Sequence, residues 1–207
     1  MQIAILTFDG FNELDSFIAA GILNRMRPKG WKAFITCPSE TVTSMNGVTV
    51  QAEKQLEFAN SADAVLIGSG MKTRDIAQNQ ELLARLQLDP SRQFIGAQCS
   101  GTLLAAKLGV LGDHPACTDL TTKPWVIEAG VTVLDQPFYA DGNVATAGGC
   151  LASQYLATWF LLCGGSKEDA EAAIHYVAPV GQKEEYVTRA IASVERYLPV
   201  RVETPAA

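Results

Sequence analysis

Apolar and polar positions along this chain fall into two registers, one extended and one helical, that take turns from the first residue onward. Residues 3–8 form a short apolar, β-branched run, and from Leu14 the apolar positions recur at helical spacing through Phe17, Ile18, Gly21, Ile22 and Met26. A buried strand followed by a helix is predicted. Residues 31–37 predict a second buried strand. Val42, Val48 and Val50 around Asn46-Gly47 predict a small hairpin on a type I′ turn, an insertion in the strand–helix rhythm. Residues 62–67 read as another buried strand, followed by the loop Gly68-Ser69-Gly70 and a helix whose apolar side carries Leu82, Leu83 and Leu86. Residues 94–97 are short and apolar, and directly behind them residues 100–111 place Leu103, Leu104, Leu108 and Leu111 on one helical face that closes at Gly112. Further short strands are predicted at 131–133, 138–140 and 144–146, with Asp141-Gly142 as a turn, then a long apolar helix at about 150–162 and two amphipathic helices in the last 40 residues.

Strands alternating with helices, and strands apolar on both faces, predict an α/β fold with a mostly parallel sheet sandwiched by helices. No linker-like segment divides the 207 residues, so one domain spanning 1–207 is expected. Sixteen Lys and Arg against 22 Asp and Glu give a net charge of −6 with no basic run, which argues against nucleic acid as a partner. The most apolar stretch, 151–163, contains Ser153, Gln154 and Thr158 and is shorter than the ~20 residues of a membrane helix, so no membrane association is expected. The N-terminus lacks the basic region of a secretory signal, which favours the cytoplasm. The five cysteines are odd in number, form no C-x-x-C and are accompanied by only two histidines. Reduced thiols are the better reading, with no metal and no cofactor.

Ala97-Gln98-Cys99-Ser100-Gly101 places a thiol between a strand and a helix with small residues two positions to either side, the pattern of a nucleophile elbow. Small neighbours allow the tight turn, and the start of the following helix aims amides and partial positive charge at the sulfur, which favours thiolate. The alternative is an ordinary buried cysteine at a strand end.

Strand, A-x-C-x-G and helix together resemble the DJ-1/PfpI (ThiJ) superfamily, and the opening IAILTFDGFNELD resembles the first strand and loop of its isocyanide hydratase branch. Gly68-Ser69-Gly70 stands where the family usually has Pro-Gly-Gly, and the stretch 141–149 resembles its strand leading into a glycine-rich turn. The resemblance implies a flavodoxin-like, class I glutamine amidotransferase-like fold with a cysteine nucleophile elbow, and a homodimer. It makes Asp15 the carboxylate beside Cys99, with Glu13 the other candidate. A protonated carboxyl can share one proton with the sulfur, so the cysteine is expected to titrate low and the acid high. Asp15 can equally be a helix N-cap, and Glu13 a solvated charge. Amides near Gly70 and Ser100 would form an oxyanion or anion pocket, or else plain turns.

Many relatives carry a histidine shortly after the elbow helix, where this chain has Ala116-Cys117-Thr118-Asp119. His114 falls in a turn at the far end of that helix, about 15 Å or more from Cys99 at 1.5 Å per residue, and His175 lies in a late helix without the His-x-Glu of glutamine amidotransferases. Cys117, beside Asp119, and Cys150 approach the pocket by the resemblance, and either could resolve an oxidised Cys99 or simply pack. Met71, Trp125 and Phe138 are candidate pocket-lining residues. Three functions follow for a small-molecule substrate. The first is a cysteine-dependent hydro-lyase, isocyanide hydratase-like, with Cys99 as nucleophile and Asp15 as proton partner. The others are a redox or stress-responsive protein with an oxidisable Cys99, and a glyoxalase- or deglycase-like enzyme.

Overall fold

The apolar runs become the inner strands of a seven-stranded sheet in this structure, a computed structural model that describes residues 1–198. The strands are β1 (Gln2–Leu6), β2 (Lys32–Cys37), β5 (Lys54–Gln55), β6 (Ala64–Ile67), β7 (Phe94–Gln98), β8 (Phe138–Asp141) and β9 (Val144–Ala147), in the spatial order β5-β2-β1-β6-β7-β9-β8. All pairs are parallel except β8 with β9. β3 (Thr41–Thr43) and β4 (Thr49–Gln51) form a separate antiparallel hairpin. Residues 199–207 of the expected single domain lie outside the described residues.

Every residue of β6, and Ile3 to Leu6 of β1, is buried, as strands covered on both faces must be. Alternation divides them between two apolar layers. Ile3, Ile5, Ala64 and Leu66 face α1 (Glu13–Leu23), α6 (Ser153–Gly164), α7 (Lys167–Val177) and α8 (Lys183–Val194). Ala4, Leu6, Val65, Ile67 and Ala97 face α4 (Gly101–Lys107) and α5 (Lys123–Glu128). Phe160 of α6 lies directly over Gly96 of β7, where any Cβ would stand 3.0 Å from its ring, so the helix packs against bare strand backbone. Burying such a ring contributes roughly 1.5–3 kcal/mol.

The structure departs from the predicted elements where side chains compete with backbone periodicity. The first helix stops at Leu23 and continues as a 3₁₀ segment, Asn24–Lys29, because Asn24 turns its amide onto the Ala33 backbone at 3.1 Å in both directions and Pro28 follows. The helix expected behind Gly70 is two short ones, α2 (Thr73–Ile76) and α3 (Gln80–Ala84), the second capped by Asn79. α4 closes at Gly109, in the left-handed region at φ 73°, rather than at Gly112. The hairpin turn is not type I′: Gly47 has φ 89° but Asn46 is not left-handed, and Ser44 Oγ instead accepts from the amides of Asn46 and Val48. Residues 131–133 contribute a single bridge, Ala116 to Val133, and α5 and β5 have no counterpart among the predicted elements.

Candidate active site

Four parallel strands end at one level, and each hands the chain to a loop that reaches the same point. Leu6 of β1 pairs with Ile67 of β6, Ile67 with Ala97 of β7, and Gln98 with Ala147 of β9. The segments that follow carry Asp15, in the first turn of α1, Ser69, Cys99, and Cys150, at the start of a 3₁₀ turn. Open α/β sheets bind ligands at this carboxyl edge, where connections diverge to opposite faces.

Cys99 is the single non-glycine residue with positive φ among the described residues, at 48°. Its amide donates to Ala147 O at 2.8 Å, and its carbonyl accepts from Thr118 Oγ1 at 2.8 Å and from Thr102 N at 3.1 Å. These bonds hold a strained backbone that turns the side chain out of the sheet. Gly101 permits the turn: a Cβ there would lie 2.4 Å from Ile67 O and 2.7 Å from Gly68 O.

Asp15 is fully buried in the first turn of α1, and it is not the cap of that helix. Asn12 is, with its Oδ1 accepting from Leu14 N at 3.1 Å. Asp15 Oδ2 accepts from the Ser69 hydroxyl, while Oδ1 is buried without a nitrogen or oxygen donor. The carboxylate, the Cys99 sulfur and the Cys150 sulfur lie within 4.8 Å of one another. Gln98 Nε2 donates to Cys99 Sγ at 3.3 Å and to Gly149 O at 2.9 Å, and Asn12 Nδ2 donates to Cys150 Sγ at 3.3 Å.

The expected low titration of Cys99 meets an opposing environment. Burial pushes the thiol up, and the Asp15 carboxylate pushes it further, by charge and by accepting its proton, while the Gln98 N–H offsets only part. A thiolate beside the Asp15 carboxylate would put two anions in one enclosure, so the sulfur keeps its proton until an electrophile draws it into reaction. The chemistry available is therefore attack by sulfur as Asp15 takes its proton, then return of that proton to the adduct.

Other sequence candidates sit elsewhere or do other things. Glu13 accepts from Ser44 Oγ and from Asn46 Nδ2, tying α1 to the hairpin, and the Ser44 hydrogen bond holds its carboxyl below the usual range. Asp119 Oδ1 accepts from the amides of Thr121 and Thr122, both at 2.9 Å, ahead of α5. Cys117 is fully buried outside the cluster, its thiol pushed up to about 12 by burial. The Gly70 amide is engaged by Ser100 Oγ at 3.1 Å, which also bonds Thr73 Oγ1 at 2.8 Å. Of the expected anion donors, that leaves the Ser100 amide, one residue past the thiol. His114 and His175 are half-exposed beside Asp141 and Glu184. Sequence reasoning assigned no role to Gln98, Ser69 or Asn12. The polar Gln98 closing an otherwise apolar strand was the available signal.

A groove of about 780 Å³ opens between α1, α6, α7 and α8, with Phe17, Ile22, Tyr155, Ile174 and Tyr186 among its walls and Cys150 at its edge. Met71, Trp125 and Phe138 are not part of it. Phe138 is buried in the core and Trp125 stacks under Arg74.

Against known proteins, the model of the DJ-1/PfpI family matches residues 1–161. The chain belongs to the DJ-1/PfpI family. Among solved structures, Schizosaccharomyces pombe DJ-1 is similar at a TM-score of 0.74 and 19% identity, covering 86% of this chain and 100% of its own. Drosophila melanogaster DJ-1beta follows at 0.73 and 21%, covering 85% and 96%. A ThiJ/PfpI family protein from Pseudomonas syringae reaches 0.72 and 19%, covering 93% and 89%. At these identities the likeness to solved structures is one of fold. No curated protein matches the chain. The isocyanide hydratase branch, inferred from the opening residues, is not singled out by these matches.

Proposed function

We propose that this DJ-1/PfpI protein is a cysteine-dependent enzyme acting on a small electrophile, with isocyanide hydration as its reaction. The observation that carries the reading is a thiol on a left-handed elbow within 4.8 Å of a fully buried carboxylate, at a site supplied with no histidine from its own loops. Cys99 sulfur adds to the terminal isocyanide carbon as Asp15 receives the thiol proton and passes it to that carbon, giving a thioimidate. Water then adds to the same carbon, Asp15 taking one of its protons and giving it to the nitrogen, and the carbon–sulfur bond breaks as the remaining hydroxyl proton passes by way of Asp15 to the departing sulfur, leaving an N-substituted formamide. Overall one isocyanide and one water become one formamide, and the thiol is restored. The Ser69 hydroxyl on Oδ2 orients the carboxyl, and Gln98 Nε2 supports charge on sulfur. The protein works as a homodimeric single domain in the cytoplasm, without cofactor or metal. Among the described residues no helix is long and apolar enough to cross a membrane.

Purified protein assayed against a panel of isocyanides and α-oxoaldehydes tests this, with Cys99→Ala as control. Formamide production lost in Cys99→Ala is expected. Conversion of α-oxoaldehydes alone would replace the hydratase reading with a glyoxalase-like one.

A further inference from the structure

The proton pair leaves one member of the cluster without a task. Hydration uses Cys99 and Asp15, whereas Cys150 has its sulfur in the same 4.8 Å group. Each sulfur is held by its own amide, Gln98 Nε2 on Cys99 and Asn12 Nδ2 on Cys150, both at 3.3 Å. Cys150 is also the half-buried member, at the edge of the apolar groove, while Cys99 is only 4% exposed. It begins a single 3₁₀ turn, Cys150–Ala152, entered through Gly149 in the left-handed region at φ 90° with open space around it. The two sulfurs, within 4.8 Å, need to close to about 2.05 Å for a disulfide, a movement that a rotation at Gly149 can supply.

We infer that Cys99 and Cys150 form a reversible intramolecular disulfide when the protein meets a hydroperoxide, so that the site is switched off and protected rather than destroyed. One thiol sulfur attacks the peroxide O–O bond, which breaks to release an alcohol, or water from hydrogen peroxide, and leaves a sulfenic acid. The second sulfur attacks the sulfenic sulfur. The S–O bond breaks and the oxygen departs as water, with Asp15 taking the proton of the attacking thiol and giving it to the leaving oxygen. One hydroperoxide is reduced by two electrons and two thiols become one disulfide. Condensation with a neighbouring thiol competes with further oxidation to sulfinic acid, which cellular thiols do not reverse.

The test oxidises the full chain with a few equivalents of hydrogen peroxide, blocks free thiols, digests without reductant and maps the peptides by mass. A cross-link joining the Cys99 and Cys150 peptides, removed by dithiothreitol, is expected in the native protein. Cys150→Ser is expected to accumulate sulfinic acid on Cys99 instead. Equal sulfinic acid on Cys99 in both proteins, or a cross-link to Cys37, Cys117 or Cys163, overturns the inference, and the native-protein map decides it even if Cys150→Ser folds poorly. Formamide production measured on the reduced protein, before peroxide and again after dithiothreitol, separates this from the hydratase reading: a cross-link in a preparation that shows no turnover while reduced sinks only the hydratase, and turnover by the reduced protein that peroxide leaves without a cross-link sinks only the switch.

Discussion

Cys99 pays for its position with a backbone angle that L-residues avoid, at φ 48°, and glycine would be relieved of that strain. Cys99→Gly is therefore expected to unfold at a higher urea midpoint than Cys99→Ala, by about 1 kcal/mol, with both inactive. An equal or lower midpoint for the glycine variant would show that the angle carries no strain. Asp15→Asn tests the proton pair in two ways. Turnover should fall by ~10²-fold or more, the scale for losing a general acid–base, while His114→Ala and His175→Ala change little. The Asp15 carboxylate is one of the causes that hold the Cys99 thiol up, so a neutral amide should move the pH midpoint of Cys99 alkylation to lower pH. A midpoint that stays or rises would mean the proton resides on the carboxyl in the native pair.

At the scale of elements, small residues decide how closely the strand–loop–helix joints can approach. Gly101→Ala would press a methyl onto Ile67 O and Gly68 O, both backbone atoms, and is expected to cost about 1–3 kcal/mol and to displace the elbow, read by thermal unfolding together with Cys99 alkylation. Gly21→Ala, within α1 with nothing in 4 Å of its Cβ, should instead stabilise by about 0.5–1 kcal/mol. The inner strands and long helices were legible in the sequence because burial on both faces leaves continuous apolar runs, and α6, α7 and α8 keep helical spacing. The elbow was legible for a related reason: A-x-C-x-G is a steric requirement written in residue size. What sequence could not supply was set by contacts between distant segments. Asn24 reaching Ala33 ends a helix early, Ser44 rather than a left-handed Asn46 closes the hairpin, and Ser100 engages the Gly70 amide. The upward push on Cys99 is of the same kind, since it depends on how deeply two separate loops bury each other.

Across the whole molecule, buried thiols tie stability to alkali. Burial raises Cys37 from its ordinary 9.0 to about 11 and Cys117 to about 12, so the folded state holds these protons more tightly than the unfolded chain. Their contribution is complete below pH 9.0 and is lost as pH rises through about 11 and 12. Urea midpoints should hold steady from pH 7 to 8.5 and fall steeply by pH 10.5, with a shallower fall in Cys37→Ala; an unchanged slope would assign the alkaline loss to other groups. The sheet order has a consequence for the history of each molecule as well as for its resting state. Asp15 and Cys99 come from strands with β6 between them, and Cys150 arrives only after β9 has docked beside β7. A chain still emerging from synthesis, or one clipped between these strands, thus exposes an unassisted thiol with no carboxylate to draw its proton. Reactivity is withheld until the architecture is finished, so recovery of turnover during refolding should trail recovery of helix and sheet.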